Sequence, residues 1–223
     1  MQDYQYICFD LDGTLVDSGE GIKDSLRSVF ADYSLDPEQI GDLDKFIGPP
    51  LRQSFMKYCG FGRDEVDHVI EDYRSYYFAD GQYKMHLYEG VAELLRDLHS
   101  AGRDIILITS KLQLSAEKVL DRFGIRQYFR YVAGSMPDNT MTDKTELIGS
   151  VIDRMGITDK SRMVMIGDRE YDAIGAVGSG ITCIGVLYGY GSYNELAEAG
   201  ATYFAENVGD LRLYLQIDKN IDR

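Results

Sequence analysis

The chain has 223 residues, long enough for one large core or for a core carrying a smaller inserted unit. Its 44% hydrophobic and 27% charged content is that of an ordinary globular protein. A formal net charge of −14 excludes the broad Lys/Arg surfaces that nucleic acid or an anionic membrane requires, although cations within a site can still hold a small anion.

The first element is the aromatic and apolar run Tyr4–Phe9, which predicts a buried strand. Asp10 and Asp12 follow two residues apart, with Gly13 and Thr14 after them. Carboxylates at the mouth of an apolar strand are costly unless a metal or a hydrogen-bond network satisfies them. An acidic turn is one reading of this stretch. A calcium loop is another, but here the glycine follows Asp12 directly and position twelve is Gly21, not Glu, so it fails. The third is an Asp nucleophile paired with an acid/base Asp. Gly13 would allow a tight turn or a close approach to a ligand.

Asp17 and Ser18 can cap a helix carrying Ile22, Leu26, Val29 and Phe30. Helical patterning then runs with interruptions to about Gly81, broken at Gly48-Pro49-Pro50 and at Gly60-Phe61-Gly62. With no strong strand in it, this stretch predicts an all-helical insert. The tyrosine-rich run Tyr73–Tyr88 reads as packing between insert and core, not as a ligand wall.

From Tyr88 the pattern is regular. Val91, Leu94, Leu95 and Leu98 predict a helix ended by Gly102, and Asp104–Ile108 a strand ending in Thr109-Ser110-Lys111. A helix with Ala116, Val119, Leu120 and Phe123 follows, then a weaker strand at Tyr131–Gly134. Lys144 opens a helix bearing Leu147, Ile148, Val151, Ile152 and Met155, closed by Gly156. The strand Arg162–Ile166 leads into Gly167-Asp168-Arg169-Glu170-Tyr171-Asp172 and a glycine-rich helix. Ile181–Leu187 predicts a strand, Ser192 with Glu195 a capping box, and Thr202–Ala205 a last strand.

Such alternation predicts an α/β fold, a doubly wound, mainly parallel sheet with helices on both faces. The core would be residues 1–15 and 84–223, and the helical insert 16–83. Since parallel strands all point one way, Asp10 and Asp12, Thr109 and Ser110, Lys144, and Asp168 and Asp172 should converge on one edge.

In that order the segments FDLDGTLVDS, LITSK, Lys144 and GDREYD resemble the four motifs of the haloacid dehalogenase-like hydrolase superfamily, its phosphatase branch in particular. The match spans nearly the whole chain, and the insert resembles that family's helical cap. The resemblance implies Asp10 as nucleophile, Asp12 as acid/base, and Thr109, Ser110, Gly13 and Lys144 around the phosphoryl group. It also implies Mg²⁺ held by Asp10, Asp168 and the carbonyl of Asp12, with Asp172 either capping its helix or touching metal-bound water. Thr109 and the amides after it would sit at a helix N-terminus. An acidic residue at Asp12 favours phosphoryl transfer over dehalogenation, because an alkoxide needs a proton on leaving and a halide does not.

IGPPLRQSF, GDREYDAIGA and GVLYGYGSYNEL resemble the phosphoglycolate phosphatase-like and 5′-nucleotidase-like groups, with the nucleotidase side favoured. Pro137 and Asn139, ahead of Lys144, depart from the expected pattern. Arg52, beside Gly48, Pro49, Pro50 and Leu51, is either the candidate for meeting an anionic substrate group or a solvent-facing arginine at the start of a helix in the insert. The expected substrate is a small phosphate ester, a nucleoside 5′-monophosphate first and phosphoglycolate second. A pyrophosphatase, a sugar phosphomutase and a non-catalytic phosphate-binding protein are the alternatives. No nucleic-acid or membrane partner is expected, and oligomeric state is not readable.

No apolar run approaches the roughly 20 residues of a membrane span, and no signal peptide is expected ahead of Tyr4. Cys8, Cys59 and Cys183 lack metal-ligand spacing and read as reduced thiols of a cytoplasmic protein, and His68, His86 and His99 carry no assigned role.

Overall fold

A computed structural model describes residues 3–136 and 143–217; Pro137 and Asn139 lie outside the described residues. Strand β1 (Tyr6–Phe9) is followed by the two-residue β2 (Val16–Asp17) and then by α1 (Gly19–Asp32), α2 (Pro37–Ile40), a 3₁₀ turn at Leu43–Phe46, α3 (Leu51–Cys59) and α4 (Val66–Ala79). The chain returns through β3 (His86–Leu87) to α5 (Val91–Ser100), β4 (Asp104–Leu112), α6 (Gln113–Arg122), β5 (Phe129–Ser135) and α7 (Lys144–Met155). It closes with β6 (Met163–Gly167), α8 (Glu170–Ser179), β7 (Thr182–Val186), α9 (Tyr193–Glu198), β8 (Tyr203–Ala205) and α10 (Val208–Tyr214).

Six strands form a parallel sheet in the order β5-β4-β1-β6-β7-β8, so β1 lies at its centre between β4 and β6. Strand residues point alternately to opposite faces. Ile7, Phe9, Ile105, Leu107, Val164 and Ile166 therefore bury one face with Leu94, Leu98 and Leu120. Cys8, Ile106, Ile108, Met163 and Met165 bury the other with Ile148, Val151 and Ala173. This is the doubly wound architecture expected, and its strand ends meet at the edge where ligands bind in such sheets.

The first cluster continues from the sheet into the helical segment through Leu26, Phe30, Phe46, Phe55 and Tyr73. Edge-on aromatic contacts link Phe30 to Phe46, Phe46 to Phe55, and Phe55 to Tyr73, with ring centroids 5.8–6.1 Å apart. Where the chain leaves and rejoins the sheet, Val16 pairs with Leu87 and Asp17 with His86 in an antiparallel ribbon.

Several boundaries differ from expectation for local reasons. Strand β4 runs on through Thr109 to Leu112, because Leu112 still pairs with Ser135 beyond a register shift. Helix α6 therefore begins at Gln113, and Thr109 is not at a helix N-terminus. At the start of α1 the Ser18 side chain makes no cap bond, and Asp17 Oδ1 accepts from Gly19 N–H instead. Ser192 Oγ accepts from Glu195 N–H, but the Glu195 carboxylate turns to Arg169, so only half of the capping box forms.

Candidate active site

Strand β1 delivers Asp10 at its carboxyl end, β6 delivers Asp168, the first turn of α8 holds Asp172, and Lys144 opens α7. Asp143 caps α7 by accepting from the amides of Thr145 and Glu146, which fixes where the Lys144 side chain starts. All four side chains meet at the carboxyl edge of the sheet. Lys144 Nζ, 4% exposed, lies 2.9 Å from Asp10 Oδ1 and 2.7 Å from Asp172 Oδ1, and donates to the Ile108 carbonyl at 2.9 Å. Carboxylate oxygens of Asp10, Asp168 and Asp172 all lie within 4.8 Å of one another.

Burial shifts these groups strongly. It pushes the Asp10 carboxyl up to about 6, with Lys144 opposing and Asp172 adding to the shift. It pushes Asp168 well above the usual carboxylate range, helped by Asp172 and Asp10. Burial alone would lower Lys144, but the Asp10 and Asp172 carboxylates outweigh it and keep the ammonium charged. Three buried carboxylates against one ammonium leave two formal negative charges when all are ionised. That donor set fits a hard divalent cation, which supplies the missing positive charge through oxygen ligands.

Asp12 is placed differently. Ser18 Oγ donates to its Oδ1 at 2.6 Å, and Lys111 Nζ lies 3.1 and 3.0 Å from its two oxygens. Its side chain thus faces the cavity beside Asp10 and stands apart from the three-carboxylate group. Asp172 also caps α8, its Oδ2 accepting from Arg169 N–H at 3.2 Å. Of its two expected roles, the helix cap is the one these bonds supply.

The cavity is lined on the core side by Asp10, Asp12, Thr109, Ser110, Lys111 and Ser135. Thr109 Oγ1 accepts from Lys111 N–H at 3.2 Å. Above lie Ile22, the loop from Phe46 to Pro49 with Leu51, and Tyr73, Arg74, Tyr77 and Phe78 of α4. Tyr73 and Tyr77 thus pack in the core cluster, as expected of the tyrosine-rich run, and also line the cavity.

Two further expectations need correction. Arg52 points out of the cavity and pairs with Asp67 of α4, and Arg74, a helix away, is the arginine that lines the space. Gly13 is not a lining residue either. Its N–H donates to the Val16 carbonyl at 2.8 Å, and at φ +83° a Cβ there would collide with the Asp168 carboxylate. Gly13 lets the first motif close over Asp168, so its backbone approaches a protein carboxylate instead of a ligand.

Four residues escaped the sequence reading. Ser18 looked like an ordinary cap, and Lys111 stood inside the second motif without a role. Tyr190 donates from N–H to Asp168 Oδ2 at 2.8 Å and from Oη to Asp17 Oδ1 at 2.6 Å, tying the loop after β7 to both the carboxylates and the insert entry. Arg169, which stood inside the fourth motif without a role, is buried. The signal for Tyr190 was already present in the glycines on either side of it.

A parallel sheet with acidic and basic groups gathered at its carboxyl edge has the arrangement of an α/β ligand site, and comparison with known proteins gives its class. The model of the haloacid dehalogenase-like hydrolase family matches residues 7–186. Over 213 residues, 96% of each protein, the chain is 37% identical to a 5′-nucleotidase of Pseudomonas aeruginosa. It is 33% identical over 211 residues to the tyrosine-protein kinase PtkA of Mycobacterium tuberculosis, covering 93% of this chain and 71% of that one. The crystal structure of a predicted phosphatase from Clostridium acetobutylicum superposes with a TM-score of 0.92 at 37% identity, covering 96% of this chain and 99% of that one. The chain belongs to the haloacid dehalogenase-like hydrolase family and is a phosphatase within it.

Proposed function

We propose that the chain is a Mg²⁺-dependent phosphomonoesterase acting on a nucleoside 5′-monophosphate through an aspartyl-phosphate. The observation that carries the reaction type is Asp10, at the cavity floor, with Lys144 Nζ 2.9 Å from its Oδ1 and Asp12 beside it in the cavity lining. An Asp10 oxygen attacks phosphorus as the bond to the ester oxygen breaks, and Asp12 delivers a proton to that oxygen. Asp12 then takes a proton from water, which attacks phosphorus and frees Asp10. Lys144 offsets the repulsion between nucleophile and phosphoryl group, and Thr109 and Ser110 hold phosphoryl oxygens. Asp10, Asp168 and Asp172, with the carbonyl of Asp12, would hold Mg²⁺, which when bound neutralises charge on the phosphoryl group.

Residues 16–83 act as a cap that excludes water from the transfer. The nucleotide assignment is supported by the Pseudomonas relative and by a cap wall of Phe46, Ile47, Tyr73, Tyr77 and Phe78, which suits a planar, weakly polar leaving group better than a second carboxylate. The free thiols suit a reducing cytoplasm.

The test is inorganic phosphate release from nucleoside monophosphates, phosphoglycolate, sugar phosphates and pyrophosphate, with Mg²⁺ or with EDTA. Metal-dependent release greatest on nucleotides is expected. A preference for phosphoglycolate would overturn the substrate, and no release from any ester would overturn the activity.

A further inference from the structure

Arg169 touches none of the reacting groups in this scheme, yet it is only 8% exposed and its guanidinium spans core and insert. Nε donates to Glu195 Oε1 at 2.7 Å. Nη1 donates to the carbonyl of Ile47 and, at 3.2 Å, to that of Asp44. Glu195 also accepts from Glu170 N–H at 3.0 Å, so the start of α8 fixes the carboxylate independently of the arginine. From the insert side, Gly48 sits at φ +100°, and a Cβ there would come within 2.6 Å of Arg169 Cγ. The loop passes over the arginine stem because this position has no side chain.

The consequence is geometric. Phe46, Ile47, Gly48 and Pro49 form part of the cavity roof, and the carbonyls that fix this loop rest on the residue next to Asp168. One rigid, planar cation thereby sets how far the roof stands from the nucleophile. A lysine could not serve a carboxylate and two carbonyls from the same place, since its ammonium lacks the spread fork of donors.

We infer that Arg169, braced by Glu195, is a positioning residue that holds the 46–49 roof over the nucleophile and so selects esters by the size of the leaving group. This rests on the phosphatase reading. A purely structural ion pair would, when weakened, lower turnover of all esters alike.

The experiment compares wild type with Arg169→Lys, Glu195→Gln and Gly48→Ala on two substrates, a nucleoside 5′-monophosphate and acetyl phosphate, whose leaving group is too short to reach the roof. Amide deuterium exchange over residues 44–48 is followed in the same proteins. The expected result is at least a tenfold fall in kcat/KM for the nucleotide, carried by KM, with acetyl phosphate within twofold of wild type. Exchange over 44–48 should be faster and exchange in β6 unchanged. Equal losses on both substrates, or unchanged exchange over 44–48, would overturn the inference. If wild type cleaves neither compound, the nucleotide reading falls, and the exchange comparison judges the brace by itself.

Discussion

At the scale of single residues the site is a problem of charge. Among the described residues Lys144 is the ammonium paired with these buried carboxylates, so removing it leaves Asp10 and Asp172 without that cation. Lys144→Met should cost roughly 3–5 kcal/mol of unfolding free energy, as breaking a buried pair does. Chemical denaturation without metal checks this, and a loss below 1 kcal/mol would contradict the pairing. Asp10→Asn keeps the shape and removes the proposed nucleophile, so kcat should fall by about 10⁴-fold or more while the fold is retained. Full turnover by that variant would remove Asp10 from the reaction. Gly13→Ala should be harsher than its size suggests, because the new methyl meets the Asp168 carboxylate at a φ that alanine resists. Circular dichroism and metal binding should both report the damage.

At the scale of elements, function depends on how each helix or strand begins and ends. Lys144 is the first residue of α7, and Asp143 fixes that start by accepting two amide protons. Asp143→Ala should cost about 1 kcal/mol of stability. It should also lower kcat several-fold, because a frayed first turn moves the Lys144 ammonium; loss of stability with unchanged kcat would separate cap from catalysis. The same contrast explains what the sequence made legible. Helix α7 could be bounded from Lys144 to Gly156 because its apolar period and left-handed C-cap are local signals. Convergence of Asp10, Lys144 and Asp168 followed from parallel topology. Helix α10, short and with only Val208 and Leu211 buried, offered too little period to be found. Arg52 was misplaced because the partner that turns it away, Asp67, sits on α4, fifteen positions further along the chain. Lys111, Tyr190 and Arg169 gain their meaning from partners about 100 residues or more away, and no local pattern announces such pairings.

At the scale of the whole molecule, a cation held by the buried carboxylates as proposed would make its binding part of stability. A ligand that binds only the folded state adds about 2.7 kcal/mol at a hundred times its Kd. For a chain of this size each kcal/mol is worth about 2–4 °C, so saturating Mg²⁺ should raise Tm by roughly 5–10 °C. Thermal unfolding with Mg²⁺ and with EDTA measures it. Asp168→Asn should abolish most of the shift, and a wild type with no shift would contradict the cation site.

The central place of β1 has a consequence during synthesis. Tyr6 pairs with Asp104 on one side and with Met163 on the other, so the first strand made is among the last to be enclosed. At about 5–20 residues per second, a ribosome needs roughly 5–20 seconds to make the hundred residues that bring β4 out. Through that interval the strand carrying the nucleophile has both edges open, while α1 to α4 can already pack on one another through the Phe30, Phe46 and Phe55 contacts. The helical segment would then mature ahead of the sheet, as an early-folding unit tethered to an unpaired apolar strand whose protection awaits the second half of the chain.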